Sequence, residues 1–168
     1  MPRFTRVRRN PNASRPWFVA RRHEDEVDAL RYEGAETARA APGVIEAITA
    51  ADAIVIAPSN PYVSIHPILA VAEIRAALEV RTARSLAVSP LIGGLAVSGP
   101  LDRMLQRLAG GTTPAHVTHC YKGLIDVLVI DRTDTPAEAD VTLVATDTLM
   151  SDREAARRLA QTTLEALT

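Results

Sequence analysis

The chain has 168 residues, 47% of them apolar, with 19 basic against 20 acidic side chains, a formal charge of −1 and one cysteine. A chain of this size buries about two-thirds of its unfolded surface, enough for one domain without metal or disulfide staples, and its balanced charge gives no general attraction to nucleic acid or an anionic membrane. Cys120 has no partner for an internal disulfide, no zinc-ribbon spacing occurs, and no apolar run reaches the ~18 residues of a membrane-spanning helix, so a soluble cytoplasmic domain is expected.

The chain opens with a basic stretch. Arg3, Arg6, Arg8, Arg9, Arg15, Arg21 and Arg22 all precede the first acid, Glu24. A transit peptide needs an apolar helical face and an RNA-binding arm needs interleaved aromatics, and both are lacking before Trp17. Residues 1–16 are therefore read as a solvated terminus without regular order. Residues 17–20 suit a strand and residues 42–50 a short helix. From Ile54 onward, β-branched runs alternate with helical patterns, the signature of a parallel sheet covered by crossover helices. Residues 53–56, 86–88, 127–130 and 141–144 are nearly continuous apolar runs and read as central strands buried on both faces.

Between them, residues 67–78 place Ile68, Val71, Ile74 and Leu78 on one helical stripe behind Pro67. Residues 100–108 repeat the device with Leu101, Met104, Leu105 and Leu108 behind Pro100, ending at Gly110-Gly111. Ser151 with Glu154 three residues on forms a capping-box pattern, predicting a C-terminal helix over 152–167. With no repeat and no low-complexity linker, residues 17–168 form one α/β domain: three layers, with a mostly parallel sheet and crossover helices.

In open α/β sheets, ligands settle at the carboxyl ends of strands, where backbone N–H groups and helix N-termini converge. The loop after residues 54–56 carries Ala57-Pro58-Ser59-Asn60-Pro61 and Ser64, in which two prolines fix φ and Ser59, Asn60 and Ser64 offer short polar groups. This composition suits phosphate, and equally suits residues that cap a turn and a helix. The loop after residues 86–88 carries Ser89, the pair Gly93-Gly94, and Gly99 before Pro100. Paired glycines allow close backbone approach to a pyrophosphate, and ordinary turns use them too.

A third strand end, Thr146-Asp147-Thr148-Leu149-Met150, brings hydroxyls and a carboxylate. Asp147 either holds Mg²⁺ through water or is a solvated turn acid. His116, His119, Cys120 and Tyr121 are too unevenly placed for a metal cluster and are expected to pack locally. Cys120 lacks a neighbouring base that would make it a nucleophile. Asp126, Asp131, Asp134 and Asp140 flank strands and read as solvated acids.

Taken together, these three strand-end motifs resemble the C-terminal half of the 2-phospho-L-lactate transferase family. So does Arg21-Arg22-His23-Glu24 with Tyr32-Glu33-Gly34, and the likeness runs in order from about Trp17 to the end. The resemblance implies the C-terminal part of a Rossmann-like transferase fold. It further implies a reaction of coenzyme F-420 biosynthesis, moving a phospholactyl or phosphoenolpyruvyl group from a guanosine diphosphate adduct to a deazaflavin hydroxyl, with Mg²⁺ and release of GMP. On this reading Ser59, Asn60, Pro61, Ser64, Ser89, Gly93, Gly94, Gly99, Thr146 and Thr148 grip the donor nucleotide and its phosphates. No residue is assigned a catalytic role.

The sequence also departs from the family pattern. The family's Gly-rich N-terminal turn, with its deazaflavin and metal contacts, is not present, as though half the enzyme were supplied by a separate chain, a second copy, or lost by truncation. Leu95 and Ser98 stand where the family commonly has lysines, and His66 stands where it has glycine. Two other functions compete with the transferase. One is a non-catalytic nucleotide-sugar regulator of the gluconeogenesis-factor type, which shares the scaffold. The other is an inactive remnant with an exposed sheet edge.

Overall fold

The computed structural model describes residues 2–5, 27–134 and 138–168. The strand expected at 17–20 and the Arg21-Arg22-His23-Glu24 motif lie outside the described residues. Near the start of the chain, β1 (Pro2–Thr5) pairs antiparallel with β2 (Ala29–Tyr32), a pairing that the sequence reading did not anticipate. A short helix, α1 (Val44–Thr49), then leads into the main sheet as expected.

Four parallel strands make that sheet: β3 (Ala53–Ile56), β4 (Arg84–Val88), β7 (Val127–Asp131) and β8 (Thr142–Thr146), in the order β3-β4-β7-β8. All four were legible as apolar runs. Only β7 and, from Ser85 onward, β4 are buried along their length, however, so the expectation of four central strands is corrected. β3 alternates between exposed and half-buried positions, with Val55 47% exposed, because it forms one edge of the described sheet. β8 forms the other.

Period-2 alternation sends the two inner strands' side chains to opposite faces, and each face is covered by helix. Ala87, Leu128 and Ile130 pack with α4 (Leu101–Leu108), α5 (Pro114–Cys120) and Leu69 in the larger core. Leu86, Val88, Val127 and Val129 pack against Leu159 of α6 (Arg153–Glu165) in the smaller one. The result is the three-layer α/β arrangement. Among the described residues no helix is long and apolar enough to cross a membrane.

The helical segments differ from expectation in four places. The single helix predicted over 67–78 is two helices, α2 (His66–Leu69) and α3 (Ala72–Glu79), because Val71 adopts an extended conformation with ψ 110°. Ahead of α2, Pro61–Ile65 forms one π-helical turn. The C-terminal helix begins one residue later than the sequence suggests. Its N-cap is Asp152, whose carboxylate accepts the Ala155 N–H at 2.8 Å, while Ser151 bonds sideways to Asp152. The unanticipated helix α5 starts from a reciprocal Thr113–His116 capping box.

A short hairpin, β5 (Leu91–Ile92) and β6 (Leu95–Ala96), stands between β4 and α4. Its two-residue loop is Gly93-Gly94, with φ of 59° and 75°. Positive φ at both positions of a two-residue hairpin loop is the geometry that glycine admits without strain.

Candidate ligand pocket at the strand ends

A pocket of about 610 Å³ opens beyond the carboxyl ends of β3, β4 and β8. Its walls are the loop after β3, the loop after β4 with the β5–β6 hairpin, and residues 148–150. Pro100 and Leu101 at the start of α4 close one side. The volume lies within the ~300–1,000 Å³ of small-molecule sites. The position is the one expected for a ligand of an open α/β sheet.

Of the residues singled out from sequence, Ser59, Asn60, Ser64, Ser89, Gly99 and Thr148 line this pocket together. Pro61, Gly93, Gly94, Thr146 and Asp147 do not. Pro61 is buried at the first position of the π-helical turn. Thr146 is the last residue of β8, and its carbonyl accepts the Arg132 N–H. Gly93-Gly94 sits at the hairpin tip, where the Gly94 N–H donates to Asp134 at 2.7 Å and is therefore engaged away from the pocket.

The hydrogen bonds decide what each lining group offers a ligand. Asn60 Oδ1 accepts the Tyr62 and Val63 N–H groups at 2.9 and 3.4 Å, so this side chain caps the π-helical turn. Ser89 Oγ accepts the Leu91 N–H at 3.2 Å, which leaves its own O–H to donate elsewhere. Thr148 is the reverse case: its hydroxyl donates to Asp131 at 3.1 Å and presents only lone pairs. Among the described residues, the Ser59, Ser64 and Ser98 hydroxyls have no hydrogen-bond partner. The lining carries no charged side chain. An anion here would meet serine hydroxyls rather than cations.

Asp147, the candidate Mg²⁺ ligand, forms an ion pair with Arg132 at 2.6 Å and is well exposed. Among the described residues no three His, Cys, Asp or Glu side chains come together in a cluster fit to hold a metal.

Two strand-end acids read from sequence as solvated are instead buried beside the pocket: Asp131 is 4% exposed and Asp134 6%. Asp131 Oδ1 accepts from the Thr133 N–H and hydroxyl at 3.0 and 2.6 Å, and Oδ2 from those of Thr148 at 3.0 and 3.1 Å. Burial opposes the Asp131 charge, but these bonds outweigh it and hold its pKa below the ordinary value. Asp134 moves the other way. Burial and the nearby Asp131 charge raise its pKa, against the Gly94 bond that lowers it. The signal available in the sequence was the Asp131-x-Thr133-Asp134 spacing, which allows an Asx turn straight after a buried strand.

His66, where the family pattern has glycine, bonds through Nε2 to the Cys120 carbonyl at 2.9 Å and so ties α2 to α5. Burial, with help from the Arg75 charge, lowers its pKa despite that bond. Cys120 is half-buried and packs against the larger core, as expected, and burial raises its thiol pKa.

A parallel α/β sheet with an uncharged pocket at its carboxyl edge is the Rossmann-like arrangement in which small ligands settle. The particular family follows from comparison: the model of 2-phospho-L-lactate transferase CofD matches residues 7–166, so the chain belongs to that family. The match begins ten residues earlier than the resemblance traced from Trp17.

Among curated relatives, the phosphoenolpyruvate transferase of Streptomyces griseus is 37% identical over 155 residues, covering 89% of this chain and 49% of the relative. The 2-phospho-L-lactate transferase of Methanococcoides burtonii is 33% identical over 150 residues, covering 86% and 48%. The chain thus spans about half the length of the relatives it matches. Among solved structures, protein BH3568 of Bacillus halodurans superposes with a TM-score of 0.57 at 19% identity, covering 85% of this chain and 52% of that one. At that identity the likeness establishes the shared fold.

Proposed function

We propose that this chain is the donor-binding part of a transferase, and that its pocket receives the diphosphate of a guanosine diphosphate adduct of a three-carbon acid. The observation that carries the reading is the convergence of Ser59, Ser64, Ser89 and Ser98 on one pocket at the strand ends. Membership of a family whose relatives are named as phospholactate and phosphoenolpyruvate transferases supports it. The acceptor in this reading is a deazaflavin hydroxyl. Its oxygen bonds to the phosphorus bearing the three-carbon acid as the bond to GMP breaks, the transfer used in coenzyme F-420 biosynthesis.

Such a transfer needs positioning and charge stabilisation more than a covalent nucleophile. A rim of hydroxyls supplies the positioning. Mg²⁺ enters this reading as the companion of the donor diphosphate, since Asp147 is paired with Arg132. The remaining groups of such a transferase come from outside these 168 residues, since the curated relatives are about twice as long.

The test is an assay of GMP release from the guanosine adduct and a deazaflavin acceptor, using this chain with a separately expressed N-terminal half of the Streptomyces griseus relative. GMP release that requires both pieces is the expected result. No release, together with no binding of GDP by the mixture, contradicts the reading.

A further inference from the structure

We propose that Asp131 and Asp134 are the positioning residues of the pocket: Asp131 fixes the loop after β8, and Asp134 latches the β5–β6 hairpin. The two carboxyl groups occupy the end of β7 and the turn that follows it, behind the pocket rather than in its lining. Each reaches a different wall. Asp131 takes both the N–H and the hydroxyl of Thr148, which lines the pocket. Asp134 takes the N–H of Gly94, 40 residues away in the chain.

The hairpin that Asp134 holds supplies Ile92 and leads directly into Val97, Ser98 and Gly99, all of them lining residues. Among the described residues, the hydrogen bond joining its tip to the rest of the protein ends on Asp134. Asp134 itself is nearly buried, and among the described residues its Oδ2 has no hydrogen-bond partner. A buried carboxyl with an idle oxygen is unfavourable for stability, and an apolar side chain would fill the same space at lower cost. What the carboxyl provides, and an apolar group does not, is a strong acceptor for the Gly94 N–H. Asp134 N–H in turn donates to the Asp131 carbonyl at 3.0 Å, so the two carboxyl groups are set in register by one turn of backbone. The pair therefore fixes the separation of the hairpin wall and the Thr148 wall.

That these walls receive a nucleotide rests on the function proposed above; the latch does not. It is tested without ligand, by NMR on the isotopically labelled 168-residue chain. In the unmodified protein a through-hydrogen-bond coupling between Gly94 N and the Asp134 carboxyl carbon is expected. So is slow exchange of the Gly94 amide. Asp134→Ala is expected to speed that exchange at least tenfold while the Leu128 and Val129 amides change less than twofold. Asp134→Asn, which keeps an acceptor oxygen, restores part of the protection. Absence of the coupling with fast Gly94 exchange in the unmodified chain overturns the proposal, whether or not the variants fold. So does a Gly94 amide indifferent to Asp134→Ala. As a second arm, Asp134→Ala is expected to weaken GDP binding at least fivefold. If the unmodified chain binds no GDP, the functional reading fails while the exchange data still decide the latch.

Discussion

At the scale of single residues, the pocket's lack of charge makes Ser98 the most informative position. It lines the pocket where the family pattern has lysine, whereas Leu95, the other departure, is 63% exposed on the hairpin and does not. A charge-assisted bond from lysine to phosphate contributes about 1.5–3 kcal/mol, and 1.4 kcal/mol is a factor of ten in affinity. Ser98→Lys is therefore expected to tighten GDP binding by about tenfold or more in calorimetric titration, with Leu95→Lys changing it little. Equal effects at the two positions would show that the pocket does not hold the phosphates.

Asp131 gives a prediction of a different kind. Its folded pKa is depressed, so the stability it contributes is complete above the ordinary unfolded value near pH 4 and is lost as pH falls through the lower folded value. Asp131→Asn places an amide donor against Thr133 or Thr148 donors, at an expected cost of about 1.5–3 kcal/mol at pH 7. The gap in melting temperature between variant and parent should narrow as pH drops below about 4. A gap that holds constant with pH would mean that the carboxylate's charge is not what stabilises the turn.

At the scale of elements, the two inner strands show how much can be read from hydrophobic pattern alone. Residues 127–130 are continuously apolar because both faces of β7 are covered, and the sequence says as much. The same pattern at 53–56 misleads, since an apolar run does not reveal whether a neighbouring strand lies beyond it. Helix α4 was legible from its stripe and Pro100. The break between α2 and α3 was not, because Ile68, Val71, Ile74 and Leu78 keep helical spacing across an extended Val71. In the site, the strand-end loops were legible from Ser, Asn, Pro and Gly. The roles of Gly93-Gly94 and of the two buried acids were not, because they depend on hydrogen bonds between distant segments, spanning 40 residues for Asp134 and 17 for Asp131.

Two substitutions test the element-level account. Leu159→Ala should cost about 2–5 kcal/mol in denaturant unfolding, since Leu159 is the buried anchor of α6 on β4 and β7. Gly94→Ala places a Cβ at φ 75° and 3.3 Å from Thr112 Oγ1, so about 1–2 kcal/mol of strain falls on the hairpin turn. Nuclear magnetic resonance should show its shift changes concentrated around residues 91–99. Changes spread through β4 and β7 would contradict a hairpin that is hinged on its own turn.

At the scale of the whole molecule, the described sheet ends at β3, whose exposed Val55 lies on an edge strand. Parallel sheets are stable when both faces and edges are covered, and the curated relatives are about twice as long as this chain. The proposed reaction therefore draws on more than these 168 residues, while donor binding draws on loops that this chain already carries. Those two requirements separate cleanly in one measurement: titration of GDP into the isotopically labelled chain, followed by amide chemical shifts. Binding with the largest shifts at residues 59–64, 89–99 and 148–150 is the predicted result. No binding with or without an N-terminal half, or shifts centred away from those three segments, would contradict the assignment of the pocket as the donor site.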